Sequence, residues 1–210
     1  MNKRLAVSKY VAISNGQLSV NGEVLLGGSS GLEVKELFRD WYAALGIDYP
    51  KFFKMDMLCQ LAFLGSEVLL KGVDLLEHYP KESVAILLSN ASASLDTDRR
   101  YQETINNAEA YFPSPAVFVY TLPSIMCGEI AIRNSIQGEN NLLVTERFDA
   151  ELLAQQVHLL FSQTQTEVCI AGWVQIEGNR FELLLFLVHP NDNFESLFFS
   201  VDGLAAIYAQ

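Results

Sequence analysis

Residues 141–154, NLLVTERFDAELLA, place three polar or charged residues between an apolar run and an amphipathic run. The apolar run predicts a strand, and the amphipathic run predicts a helix. Strand-to-helix turns hold the reactive groups of many α/β proteins, because a helix N-terminus offers free N–H groups and a positive dipole end. Here the turn carries Thr145, Glu146 and Arg147, which include no evident activated nucleophile.

The other residues with reactive or metal-ligating side chains are scattered along the chain. Cys59, Cys127 and Cys169 are widely spaced and have apolar neighbours, which indicates buried, reduced thiols rather than a disulfide framework. The three histidines are also far apart, and no Cys/His pair has the spacing of a metal site. We therefore expect no metal, no cofactor and a cytoplasmic protein.

The charge balance argues against two classes of partner. Fourteen Lys and Arg stand against 25 Asp and Glu, which gives a net charge of −11. Nucleic acids and anionic membrane surfaces are bound through clustered basic residues, and this chain has no such cluster in sequence. No apolar run reaches the roughly 18 residues needed to cross a bilayer. The basic N-terminus is soon interrupted by Ser8 and Lys9, and it is interpreted as a mature terminus rather than a signal peptide.

Apolar and amphipathic runs alternate along the chain. The continuous apolar runs at 83–89 and 168–171 predict strands that are covered on both faces. Helices are predicted at 32–45, 54–71, 98–109, 127–134 and 149–163. Further strands are predicted at 7–16, 17–26, 141–144, 181–188, 194–201 and 204–208. Together they predict an α/β fold with a central mixed, mostly parallel sheet and helices on both faces, formed by 210 residues as one domain.

The start of the helix at 149–163 has its own signature. Asp149 is the expected N-cap, since a carboxylate there accepts hydrogen bonds from free N–H groups of the first turn. Phe148 and Leu153 have the spacing of a hydrophobic staple on either side of it. Arg147 then lies just outside the helix, where its charge is less opposed by the helix dipole.

Several sequence features follow one another without a gap from Gly128 to Gly172. A Pro-rich entry leads to Cys127-Gly128, then comes the turn Ser135-Ile136-Gln137-Gly138, then a strand, a long helix and a second strand ending at Gly172. This order resembles the N-terminal half of β-ketoacyl-acyl-carrier-protein synthases, the condensing enzymes of the thiolase superfamily. The family shows Ala-Gly, Gly-x-x-Gly and a strand ending Ala-Gly-Gly in these places. The resemblance covers most of the chain.

The resemblance implies a degenerate, thiolase-like half in which the catalytic cysteine is replaced. Thr145, Glu146 and Arg147 fall on the family's Thr-Ala-Cys motif, with Arg147 at the nucleophile. A cysteine works there because the helix N-terminus lowers its pKa, whereas an arginine stays protonated and cannot accept an acyl group from a thioester in this way. The histidines of the family's C-terminal half also have no match in this chain. The resemblance therefore implies a protein that is not an enzyme.

A non-catalytic role by association is the first functional hypothesis. In the family, the strand before the nucleophile lies at the dimer interface, and here that strand holds Asn141, Leu142, Leu143 and Val144. We expect a partner or scaffold subunit in fatty-acid or polyketide-type synthesis, a pseudoenzyme that forms a homodimer or a heterodimer with a full-length ketoacyl synthase.

Two alternatives belong to other classes. The first is an acyl-transfer or thioesterase enzyme that uses Cys127 or a serine of the loop 89–94, although no Ser/His/Asp set is evident. The second is an acyl-carrier-protein binding module without catalysis. Carrier proteins are acidic, so a chain with a charge of −11 would repel them at long range unless a local basic patch compensated.

Overall fold

The fold is seen in a computed structural model, which describes residues 4–27, 33–191 and 197–209. The strands are β1 Leu5–Ser14, β2 Gln17–Val20, β3 Glu23–Gly27, β4 Val84–Asn90, β5 Asn140–Val144, β6 Val168–Glu177, β7 Arg180–Pro190 and β8 Leu197–Phe198. The helices are α1 Val34–Ala44, α2 Met57–Leu70, α3 Leu75–His78, α4 Leu95–Glu103, α5 Pro115–Phe118, α6 Ile125–Asn134, α7 Ala150–Gln163 and α8 Val201–Tyr208.

The strands form one mixed sheet in the order β3-β2-β1-β7-β6-β4-β5, with β8 beside the start of β1. The predicted α/β class and mixed sheet are confirmed. The description as mostly parallel needs correction, because only β4–β5 and β4–β6 pair in parallel among the described strands, and the other pairings are antiparallel. The reason is that β7 follows β6 through a tight turn and β1 then pairs with β7.

Three segments differ from the sequence prediction. The helix predicted at 98–109 is displaced, because α4 spans Leu95–Glu103. Residues 17–26, predicted as one strand, form two short strands around a turn at Asn21 and Gly22, both of which have positive φ. Residues 204–208, predicted as a strand, belong to α8, whose N-cap Ser200 accepts a hydrogen bond from the N–H of Gly203 at 3.2 Å. A short apolar run is compatible with a strand or a helix, and here the N-cap hydrogen bond favours the helix. Residues 192–196 of the predicted strand 194–201 lie outside the described residues.

Hydrophobic cores lie on both faces of the sheet. One face packs against α1, α2 and α6, and α2 is buried nearly all the way round. The opposite face packs against α7 and α8. All seven residues of β4 are buried as a result. This explains why the sequence of β4 is apolar without alternation.

Gly172 is the point of closest approach between β6 and β7. It lies in the middle of β6, and a Cβ atom added there would run into the carbonyl oxygen of Leu184 on β7. Its own carbonyl oxygen accepts a hydrogen bond from Ser89 Oγ at 3.0 Å. A side chain at this position therefore requires the backbone of two central strands to separate.

The Gly172→Ala substitution is expected to destabilise the fold by at least about 1–3 kcal/mol, the usual cost of overpacking. The matched control is Gly128→Ala in α6, where an added Cβ meets no atom within 4 Å. There the change should be neutral, or stabilising by up to about 1 kcal/mol through helix propensity. Urea unfolding followed by circular dichroism measures both, and equal stability of the two variants would contradict the packing of β6 against β7.

Candidate functional site

The turn between β5 and α7 is held by backbone hydrogen bonds at its start. The N–H of Thr145 donates to the carbonyl oxygen of Asn90 at 2.9 Å and extends the pairing of β4 with β5. Thr145 Oγ1 donates to the carbonyl oxygen of Arg147 at 2.9 Å and closes the turn. Thr145, Glu146 and Arg147 thus lie together at the C-terminal end of a parallel strand, the usual place for a functional site in such sheets.

The helix after this turn begins as predicted. Asp149 caps α7 by accepting a hydrogen bond from the N–H of Leu152 at 2.9 Å. Phe148 is buried, and its ring stacks on Tyr208 of α8 with a centroid distance of 4.4 Å. Phe148 also meets the ring of Trp173 edge to face at 6.2 Å. The apolar residue next to Arg147 is therefore fixed by aromatic contacts from two other elements.

Arg147 projects from this fixed turn into solvent. Both Glu146 and Arg147 are exposed, and Arg147 forms no ion pair with any residue that the structure describes. A guanidinium two residues before the N-cap has no lone pair with which to attack a carbonyl carbon at neutral pH. The turn can position a charge, but its residues offer no acyl-accepting nucleophile.

The strand that leads to the turn is the last one on its side of the described sheet. The carbonyl oxygen of Glu139 and the N–H of Thr145 both bond to β4, so the odd-numbered residues between them face β4. The N–H and C=O groups of residues 140, 142 and 144 then point to the free edge. Val144 is 58% exposed, and Leu142 and Leu143 are half-buried. Such an edge is a template for pairing with another chain.

The serines of the loop after β4 are all engaged in structural hydrogen bonds. Ser89 donates to Gly172, Ser92 donates to the carbonyl oxygen of Ile176 at 2.9 Å, and Ser94 donates to the carbonyl oxygen of Thr121 at 2.8 Å. None of these hydroxyls is hydrogen-bonded to a histidine within the described ranges. The arrangement that activates a serine nucleophile is therefore not assembled there.

Cys127 lies inside the protein and not at the turn. It is fully buried in α6, and its Sγ is 3.8 Å from the carbonyl oxygen of Asn141. Burial raises the pKa of this thiol to about 12. A nucleophilic cysteine needs the opposite shift, so the environment of Cys127 counts against the enzyme alternative.

A buried charged group was missed from the sequence. Glu129 is only 3% exposed in α6, where one carboxylate oxygen lies 2.7 Å from Lys51 Nζ and the other 3.2 Å from the hydroxyl of Tyr120. Burial and the neighbouring Glu129 raise the pKa of Tyr120. The available signal was a glutamate inside the apolar run Ile125-Met126-Cys127-Gly128-Glu129-Ile130, because a charge in such a run is normally paired.

Within the described part of the chain, no group of three or more His, Cys, Asp or Glu side chains is placed to hold a metal ion. No single described helix is long and apolar enough to cross a membrane. Pro115–Thr121 and Ile125–Asn134 meet the length and composition requirement only together, as a pair bent by 99°.

Comparison with known proteins finds similarity in structure alone. No protein-family model matches the chain, and neither does any curated protein. A solved structure described as the ishigamide ketosynthase/chain length factor matches with a TM-score of 0.64 and 16% identity, over 92% of this chain and 64% of that chain. The chain thus spans less than two thirds of that protein's length.

Two other solved structures give the same result. One is a ketosynthase, ApeO, in complex with its chain length factor, ApeC, from Xenorhabdus doucetiae, with a TM-score of 0.57 and 14% identity over 90% of this chain and 79% of that chain. The other is a type II polyketide synthase acyl-carrier protein, AntF, in complex with its ketosynthase, AntDE. It has a TM-score of 0.57 and 12% identity over 91% of this chain and 64% of that chain. The chain therefore shares the fold of a large part of these ketosynthase and chain length factor structures.

The cap of α7 can be tested directly. Asp149→Ala should lower the free energy of unfolding by about 1 kcal/mol, the typical loss when an N-cap is removed. Asp149→Asn is the matched control, because its side-chain oxygen still accepts from Leu152 and should retain most of the stability. Chemical unfolding of the three proteins measures this, and equal losses in both variants would show that the carboxylate does not act as a cap.

The environment of Cys127 predicts a slow reaction with alkylating agents. At pH 8 the folded protein should leave Cys127 unmodified by iodoacetamide over an hour, because burial both blocks access and keeps the thiol protonated. The unfolded protein in urea is the control and should be labelled at all three cysteines. Peptide mass spectrometry measures the sites, and rapid labelling of Cys127 in the folded state would revive the enzyme alternative.

Proposed function

We propose that this protein is a non-catalytic relative of ketosynthases that acts as a partner subunit in fatty-acid or polyketide-type synthesis. The observation that carries the proposal is Arg147 in the turn before α7, at the position where the resemblance puts the nucleophile. The turn keeps the geometry of a strand-to-helix site, with a capped helix and a buried Phe148. Under this proposal, the turn lacks a side chain that accepts an acyl group.

The structural neighbours support a partner role. Two of them are described as ketosynthases together with chain length factors. The proposal assigns this chain to the second kind of subunit, because its turn offers an arginine where an acyl acceptor is needed.

The free edge of β5 supplies the proposed contact. Residues 140, 142 and 144 present their backbone groups to that edge, and Leu142 is the central one. A second chain related by a two-fold axis at Leu142 would place residue 140 of each chain opposite residue 144 of the other. That register forms about six main-chain hydrogen bonds and covers Val144.

The same edge serves a homodimer or a heterodimer with a full-length ketosynthase. The heterodimer has more support, because the neighbours are described as such pairs and because two copies with a charge of −11 repel each other. Contact with an acyl carrier protein has less support, since Arg99 already pairs with Asp96 at 3.3 Å and the sequence contains no cluster of basic residues.

Val144→Lys should weaken association through β5 at least about tenfold, because it places a charge at a strand edge that would be buried. Val24→Lys is the matched control: Val24 is also a valine on an end strand and is 60% exposed, against 58% for Val144. Native mass spectrometry of the protein alone and with a co-expressed full-length ketosynthase measures the complexes. A protein that stays monomeric in both mixtures would refute the partner role.

Absence of acyl transfer is tested separately. After incubation with malonyl- and acyl-carrier-protein thioesters, the intact mass of the protein should be unchanged. A ketosynthase with its cysteine serves as the positive control and should gain one acyl group. A stable acyl adduct on this chain would contradict the non-catalytic assignment and would direct peptide mapping to the reacting residue.

A further inference from the structure

A cavity of about 190 Å³ lies on the α8 side of the sheet, away from β5. Its floor is formed by β1, β2 and β7, and one wall is the end of α8. The half-buried ring of Tyr10 and the exposed ring of Tyr208 line this space together with Glu182, and the buried Trp173 lies behind Glu182. The volume is below that of common drug-sized pockets, so it suits a very small ligand.

Glu182 is held by two neutral donors. Trp173 Nε1 donates to Glu182 Oε1 at 2.6 Å, and the Tyr208 hydroxyl donates to the same oxygen at 3.0 Å. Burial and the nearby Glu182 raise the pKa of Tyr208 to about 12, so this donor stays protonated. Both donors fix the orientation of the carboxylate, but neither neutralises its charge.

Among the described residues, this carboxylate forms no ion pair. The ion pairs of the described residues involve Lys51, Arg99 and Arg133, and none of them reaches Glu182. A carboxylate that is half-buried beside aromatic rings gains most from a weakly hydrated positive charge, which the ring faces also attract. Recognition of quaternary ammonium groups by aromatic side chains follows this chemistry.

We propose that the cavity bounded by Glu182, Trp173, Tyr208 and Tyr10 binds a small organic cation bearing an ammonium group. The carboxylate supplies the charge and the aromatic rings supply the walls. Ser14 and Ser19 on the floor offer polar contacts for a hydroxyl or amide elsewhere on the ligand. β6 and β4 separate the cavity from the edge strand β5, while Trp173 and Tyr208 connect it to the turn after β5 through their contacts with Phe148.

Tetramethylammonium is the probe, and tert-butanol is the neutral compound of similar shape. Isothermal titration calorimetry with up to 20 mM probe, a range suited to weak binding, should detect tetramethylammonium and give no heat with tert-butanol. Glu182→Gln should weaken the cation at least about tenfold, because it removes the charge but keeps an oxygen that accepts from Trp173 and Tyr208. Glu177→Gln, an exposed glutamate on β6 outside the cavity lining, should leave affinity unchanged.

A second variant tests the contribution of an aromatic ring to binding separately from that of the carboxylate. Tyr10→Leu keeps Glu182 and an apolar side chain but removes one ring, and it should weaken tetramethylammonium about two- to fivefold. Circular dichroism confirms that each variant is folded. The proposal is overturned if the unmodified protein does not bind tetramethylammonium, if tert-butanol binds equally well, or if Glu182→Gln and Glu177→Gln behave alike.

Discussion

The burial of β4 and β6 on both faces is the constraint on which the rest of the structure depends. Two layers of helices can cover a sheet only if its central strands are apolar throughout and pack without gaps. β4 meets this demand with seven buried residues, and β6 meets it with a glycine where the carbonyl of Leu184 leaves no room for a side chain. The rigid centre in turn fixes the ends of the strands, where the loop after β4 and the turn after β5 meet.

The turn between β5 and α7 is held by contacts that do not depend on the side chain at position 147. The cap at Asp149 and the aromatic contacts of Phe148 hold the turn in place regardless of which residue stands at position 147. Under the proposed function, arginine could therefore stand at position 147 without loss of the scaffold. The turn presents a fixed charge beside the edge strand β5, and these two features are the basis of the proposed role.

Much of the fold and of the turn could be predicted from the sequence, and the features that could not be predicted have physical causes. The helices at 57–70 and 150–163 and the buried strand at 84–90 were accessible because periodicity and a capping aspartate mark them. The direction of β7 was not predictable, since the pairing direction of a strand depends on long-range contacts. The helix at 201–208 was not predictable either, because a short apolar run fits a strand as well as a helix. Glu182 was overlooked because its significance comes from Trp173 and Tyr208, which only the folded chain brings together.

The sheet of the described chain ends in β3 on one side and β5 on the other, and this has a consequence for assembly. If β5 joins β5 of another subunit, the two-fold symmetry closes the contact, yet each outer margin of the doubled sheet is then a β3 strand. Contact between β3 and β5 instead would repeat without closure and build a fibre. The irregular pairing between Leu18 and Ser19 opposes that outcome, because a register shift beside β3 makes this margin a poor template for unlimited growth.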